Sequence, residues 1–429
     1  MKTMDKTHRH RSDAFRPISV AVATALLGLV MAMSPVAAQE RFKPAEAAVV
    51  LSASVHAASG RQNALRALDK AWRVQPQNLS PALAYARAVF TLGLTEGDLR
   101  WYGSAKAALT PWWTAAELPA EAYFLRGLVK QGFHDFQDGL QDINRAIALE
   151  PARAEFWSWR FALHLLLADM AAAQKDIEEI GRLFGEEEAK VYRAVLLYRT
   201  GQPLPAVALL SRAIRSVNYQ DASSQDWLGF HLGEAHRVAG QPANALAVWG
   251  QRIKASPQSH LIRLSLADLL NQQGQYRQAK NTATATVTAA NGNAPNNTAS
   301  MTDALLMQAV LASRGLKDPD ESRLASQLEA RLQSQALRQE ALIERPKLIY
   351  QIAYGRDLKA GLALSIDNWQ LQKEPPDAVL FVQAALELGQ ARAAEPVVSW
   401  AEKTGYADPQ LTPMLAQLKS HPSWTGGRP

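Results

Sequence analysis

Histidines and carboxylates carry most acid–base and metal chemistry, and this chain of 429 residues holds 9 histidines and 40 aspartates and glutamates. Their spacing decides what they can do. His231 and His236 are five apart, on different faces of a helix, whereas two imidazoles that share a zinc ion stand four apart. His56, His134 and His164 occur with no neighbouring carboxylate pattern, so packing or solvent roles are expected. Glu178-Glu179 and Glu186-Glu187-Glu188 would fan around a helix axis rather than converge, which suits a solvated face or a helix N-terminus. The chain has no cysteine, which removes disulfides, thiolate metal sites, iron–sulfur clusters and cysteine nucleophiles. No phosphate-binding glycine loop, dinucleotide fingerprint or serine elbow is spelled out. The chain is therefore expected to be non-catalytic, with no cofactor and no metal.

The aromatic residues Trp101, Tyr102, Trp112 and Trp113 cluster in residues 93–119. They could stack on a base or a sugar, but packing between neighbouring helical units is the expected role. Net charge adds little to a nucleic-acid reading. The formal charge is +6, and half of it sits in the first 38 residues on Lys2, Lys6, Arg9, Arg11 and Arg16 against Asp5 and Asp13. The remainder is too dilute for phosphate backbones, and no nucleic-acid partner is expected.

That first segment reads as an export signal: a basic stretch to Arg16, an apolar run from Ile18 to Met33, a Ser34-Pro35 break, then Val36-Ala37-Ala38. Cleavage is expected after Ala38, giving a periplasmic chain without stable membrane insertion; a retained anchor is the alternative. Export without cysteines fits a bacterial periplasm better than a eukaryotic secretory route.

The elements that must position these residues come from a repeat. The segment AEAYFLRGLVKQGFHDFQDGLQDINRAIALEPAR from Ala120 shows two amphipathic helical stretches, a turn at His134-Asp135 and a closing Pro151. The pattern recurs from Asp226 as DWLGFHLGEAHRVAGQPANALAVWGQRIKASPQS, and from His260 after 34 residues. Further units start near Ala45, Leu79, Ala154, Glu187 and Pro375, with weaker ones near Met301 and Ala341. The unit near Leu79 carries an insertion that delays its second helix. Small residues mark the close helix contacts: Gly127, Gly233, Ala64, Ala173, Ala206, Ala245 and Ala279. Gly201, Gly240, Gly274 and Gly389 are expected to end first helices. The repeat from Ala120 departs from the pattern, with Gly139 at the alanine position and Arg126 beside Gly127, which predicts a weaker second helix by up to about 1 kcal/mol.

These residues resemble the tetratricopeptide repeat (TPR), W-x2-L-G-x2-Y followed by A-x3-F and P, across about residues 45–408. The resemblance implies an all-α fold, a right-handed superhelical solenoid of helix-turn-helix repeats. The expected organisation is a signal peptide at 1–38, a regular array at 45–285 and a low-complexity linker at 286–300. A degenerate array at 301–410 follows, then a capping helix and disordered tail at 411–429. His236 falls at the repeat's buried tyrosine position, so core packing is expected of it.

The resemblance also implies a concave groove lined from the first helices. It would be formed by Val49, Ala53, Leu83, Arg87, Phe124, Leu128, Ser158, Ala162, Val191, Val195, Phe230, Glu234, Leu264 and Asp268. With only Arg87 as a cation there, a clamp for a terminal carboxylate is not expected. The implied function is a scaffold or assembly adaptor that captures a segment of another envelope protein. The alternatives are a self-packed or homo-oligomeric structural subunit and, from another class, a glycan-binding protein or enzyme. An exposed apolar strip at Phe124, Leu128, Val191 and Val195 would mark an interaction site, unless the C-terminal array covers it.

Overall fold

A computed structural model describes residues 60–285, 301–337 and 345–424. The export signal, the linker at 286–300 and the tail beyond Trp424 lie outside the described residues, as do Val49, Ala53 and His56. Every regular element among the described residues is helical. Helix α1 (Gly60–Val74) leads into the hairpins α2 (Leu79–Glu96) with α3 (Arg100–Leu109), α4 (Ala120–Gly132) with α5 (Phe136–Leu149), and α6 (Ala154–Leu166) with α7 (Met170–Phe184). Three more follow: α8 (Glu186–Arg199) with α9 (Pro203–Ala213), α10 (Ala222–Val238) with α11 (Pro242–Ala255), and α12 (His260–Gln272) with α13 (Tyr276–Thr284). The C-terminal array comprises α14 (Asp303–Leu316) with α15 (Glu321–Leu337), α16 (Arg345–Ile349) with α17 (Leu358–Leu371), α18 (Pro375–Glu387) with α19 (Glu395–Thr404), and a final α20 (Leu411–Ser420).

A short helical hairpin cannot bury its apolar stripe alone, so hairpins stack, and their backbones must come close. In α10/α11 a Cβ on Gly233 would overlap the indole of Trp249, which is fully buried and donates from Nε1 to the Phe230 carbonyl at 3.2 Å. In α4/α5 a Cβ on Gly127 would lie 2.8 Å from the Gly139 carbonyl oxygen, and one on Gly139 would lie 2.9 Å from that of Gly127. Gly139 thus weakens the helix but permits the crossing. Ala173, Ala206, Ala245 and Ala279 are fully buried, whereas Ala64 is exposed and the helix expected to face it lies outside the described residues.

The turns after α8, α10, α12 and α18 place Gly201, Gly240, Gly274 and Gly389 at φ of 77°, 73°, 69° and 65°. Where the sequence lacks glycine the geometry persists. His134 and Ala168 take φ of 60° and 59° at the turns after α4 and α6.

In residues 93–119, α2 runs through Gly93 to Glu96, and the extra residues continue after α3 as a 3-10 turn at Thr110–Trp112. The delay of the second helix is thus only part of the insertion. Tyr102 is buried against Phe90 at 5.1 Å between ring centroids, and Trp101 and Trp113 are partly buried against the core. These aromatic side chains pack rather than form a platform. At the other end Trp424, expected in the disordered tail, packs partly buried against the core.

Candidate interaction site where the two arrays meet

The chemistry-bearing side chains are mostly spent on holding hairpins together. Arg126, almost fully buried, pairs with Asp142 at 2.6 Å and donates from Nη1 to the carbonyls of Trp112, Trp113 and Ala115. One repeat later, at the same register, Arg160 pairs with the fully buried Asp176 at 2.6 Å. His164, read from sequence as lacking a carboxylate neighbour, places Nδ1 2.6 Å from Oδ2 of that same Asp176. The correction has a simple cause: the carboxylate is supplied by the partner helix of the hairpin, twelve residues on. The doubled spacing, arginine then aspartate sixteen residues later in two units 34 residues apart, was a readable signal that the sequence analysis missed.

His231 and His236 point to different partners, Tyr198 and Gln241, at 2.7 Å each. Glu186, Glu187 and Glu188 open α8 and contact Arg193, Lys190 and Tyr219. Among the described residues no group of three or more histidines and carboxylates could hold a metal ion.

The expected groove residues divide into three. Phe124, Leu128, Val191, Val195 and Phe230 are buried, as are Ser158 and Ala162. This corrects the expectation of an exposed apolar strip. Phe124, Leu128, Val191 and Val195 belong to one continuous core cluster that also takes in Trp369, Val379, Phe381 and Tyr406 of the C-terminal array, and Phe124 packs on Phe156 of α6 at 4.5 Å between ring centroids. Leu83 and Arg87 are half-buried, and Arg87 is fully engaged, pairing with Glu121 at 2.6 Å and Glu155 at 2.9 Å. Glu234, Leu264 and Asp268 remain half-buried. Asp268 accepts from Gln308 at 3.1 Å and Gln272 at 2.8 Å, and burial raises its pKa against the opposing pull of Arg237.

The two arrays meet along a seam that sequence reading did not find. Arg199 at the end of α8 forms a two-pronged pair with Glu374, at 2.8 and 3.2 Å, with both side chains almost fully buried. Lys373 N–H donates to the Leu166 carbonyl at 2.8 Å. Arg237 of α10 bridges Glu234 at 3.0 Å and the buried Asp408 at 3.3 Å. Asp408 in turn accepts from the Tyr406 hydroxyl at 2.7 Å and from the backbone N–H groups of Gln410 and Leu411, capping α20. Where Gly201 meets Gly405, a Cβ on the former would overlap the latter's carbonyl oxygen. Arg199 and Arg237 lie one helical turn beyond the groove positions Val195 and Glu234, so extending the groove pattern by a turn would have reached them. Burial, and secondarily the Arg199 charge, pushes the imidazole of neighbouring His231 down to about 3. Beside the seam a surface cleft of about 730 Å³ is lined by Gly201–Pro205, Val238, Ala239, Ala407–Pro409, Thr412 and Pro413, with Leu204 exposed.

Hairpins with small residues at their crossings and left-handed turns, stacked at the repeat's register, decide the fold. It is that of a tetratricopeptide-type repeat protein. Solved structures of similar architecture include the type IV pilus biogenesis factor PilW, at 16% identity with a TM-score of 0.38 over 50% of this chain and 93% of that chain. A tetratricopeptide repeat protein from Parabacteroides merdae matches at 16% identity and a TM-score of 0.37, over 52% of this chain and 84% of that one. The human IFIT1 dimer with PPP-AAAA matches at 11% identity and a TM-score of 0.41, over 80% and 87%. No family model and no curated protein matches the sequence.

Proposed function

We propose that the chain is a non-catalytic protein-interaction scaffold of the bacterial periplasm. The observation that carries this reading is that the last turns of its first helices hold a polypeptide segment already. Helices α8 and α10 bind the chain's own residues 373–374 and 405–409 through Arg199, Arg237 and the Gly201 turn. Apolar side chains bury the area and the arginines orient the segment by its carboxylates, the division of labour found in peptide grooves. Among the described residues singled out from the sequence, His164, His231 and His236 bond to side chains of neighbouring helices or turns, which supports the non-catalytic reading.

The periplasmic reading rests on the basic, apolar and small-residue order of residues 1–38. No described helix is long and apolar enough to cross a membrane. Intact mass of the native protein tests it: a chain beginning at Gln39 supports export, and a membrane-bound species retaining Met1 refutes cleavage.

Burial of Phe124, Leu128, Val191 and Val195 favours a second reading, a self-packed or oligomeric structural subunit of an envelope complex. Cross-linking in intact cells followed by mass spectrometry separates the two. Stoichiometric links to one other envelope protein support the scaffold; links confined to this chain or its copies support the structural subunit.

A further inference from the structure

The contact between the arrays differs physically from the contact inside a hairpin. Within hairpins, backbones meet along glycine and alanine crossings such as Gly127 with Gly139. Helices α2–α13 and α17–α20 have no such side-by-side packing. Among the described residues, the backbones of these two groups share one hydrogen bond, from Lys373 to Leu166, and touch at Gly201 and Gly405. The rest is apolar side chains and two ion pairs. A buried ion pair adds little net stability, because desolvation of both charges opposes their attraction.

The seam is also incompletely satisfied. Around the Arg199–Glu374 pair, Arg199 Nε, His231 Nε2 and Trp227 Nε1 are buried without a hydrogen-bond partner, and so is Trp400 Nε1 beside Tyr406. The Trp227 and His231 rings lie 4.4 Å apart. Polar groups removed from water and left unmatched oppose burial. Arg199 Nε thus remains a donor that the present occupant does not use.

We propose that the C-terminal array is an autoinhibitory occupant of the surface formed by the last turns of α6, α8 and α10, displaced by a segment of another protein that presents apolar and aromatic side chains flanked by carboxylates. The occupant defines this chemistry. Its aromatic side chain at Arg199 and Arg237 is Tyr406, backed by Trp400 of its own array, and its carboxylates, Glu374 and Asp408, sit on Arg199 and Arg237. A competitor must neutralise the same two arginines, so a basic segment is repelled. The partner half of this inference rests on the scaffold reading; the opening of the seam is a property of the chain alone.

The test uses the full chain carrying Glu374→Gln and Asp408→Asn, followed by peptide-resolved hydrogen exchange. Amides of α18–α20 and of the last turns of α8 and α10 are expected to exchange faster by about tenfold or more, while α4/α5 and α12/α13 keep their protection. No change at the seam, or equal acceleration throughout, overturns the device. Asp408→Asn alone is the milder variant, since the amide oxygen still caps Gln410 and Leu411. The partner half is tested with a synthetic peptide of residues 400–412. It is expected to bind the double variant at least about tenfold more tightly than the unaltered chain, where the seam must first open, and to lose that binding when its aspartate is replaced by asparagine. Equal binding to both chains, or to neither, overturns displacement by an acidic segment without touching the exchange result.

Discussion

Arg126 and Arg160 show how a residue that breaks a repeat pattern can be its strongest local fastening. Each replaces an apolar side chain with a guanidinium, buried at Arg126 and half-buried at Arg160, and each finds an aspartate on the mate helix, Asp142 or Asp176. Arg126→Met would leave the buried Asp142 to Lys130 alone and take away a donor from the Trp113 and Ala115 carbonyls, so a loss of about 1–3 kcal/mol is expected. Arg182→Ala, which breaks an exposed pair with Glu179, should change stability by no more than about 0.5 kcal/mol. Urea denaturation of the two variants checks the contrast; equal midpoints would contradict the burial argument.

The buried histidines set the acid limit. Burial holds His134 well below the usual imidazole range, His231 at about 3 and His260 at about 4. A depressed pKa means that the unfolded chain binds protons that the folded chain refuses. The stability that neutral His231 contributes is complete above pH 6.5 and is lost as pH falls from there toward 3. Melting temperature is expected to drop steadily below pH 6.5, and His231→Gln to make that drop shallower. An unchanged slope in the variant would assign the acid sensitivity elsewhere.

At the scale of elements, the same substitution should have opposite signs in one hairpin. Gly233→Ala places a Cβ into the Trp249 ring and should cost about 1–3 kcal/mol. Gly250→Ala, on α11 with nothing within 4 Å of the added carbon, should stabilise by about 0.5–1 kcal/mol. Thermal melts of the pair test the hairpin register directly. Turns give a third case. Ala168 holds a left-handed conformation that glycine adopts without strain, so Ala168→Gly is expected to be stabilising by up to about 1 kcal/mol, measured as a rise in urea midpoint. These contrasts were partly legible beforehand: Gly127, Gly201, Gly233 and Gly240 carry repeat-pattern roles visible in one dimension. The turn at His134 was legible too, but its left-handed conformation and that of Ala168 were not, because the geometry there is imposed by the helices on either side.

For the whole molecule, the decisive fact is where the second array goes. Phe124→Glu with Val195→Glu, at positions expected from sequence to face an open groove, now falls in continuous core. Each charge would be buried unpaired, and a cooperative loss of several kcal/mol is expected. Retained melting temperature in that double variant would show that the concave face is open in solution.

The sequence by itself determined the repeat, because its information is local: small residues at helix crossings, turn residues at fixed offsets and apolar stripes at helical spacing all act within one hairpin. The register it gave for Glu234 and Asp268 is compatible with their half-buried environment, since that register follows from one helix. Only the tertiary structure decided that Phe124, Leu128, Val191 and Val195 are core, and that Arg199 and Arg237 meet Glu374 and Asp408. Those contacts join residues more than 170 positions apart. They depend on the summed curvature of every hairpin between, and no pattern confined to a single repeat carries that sum.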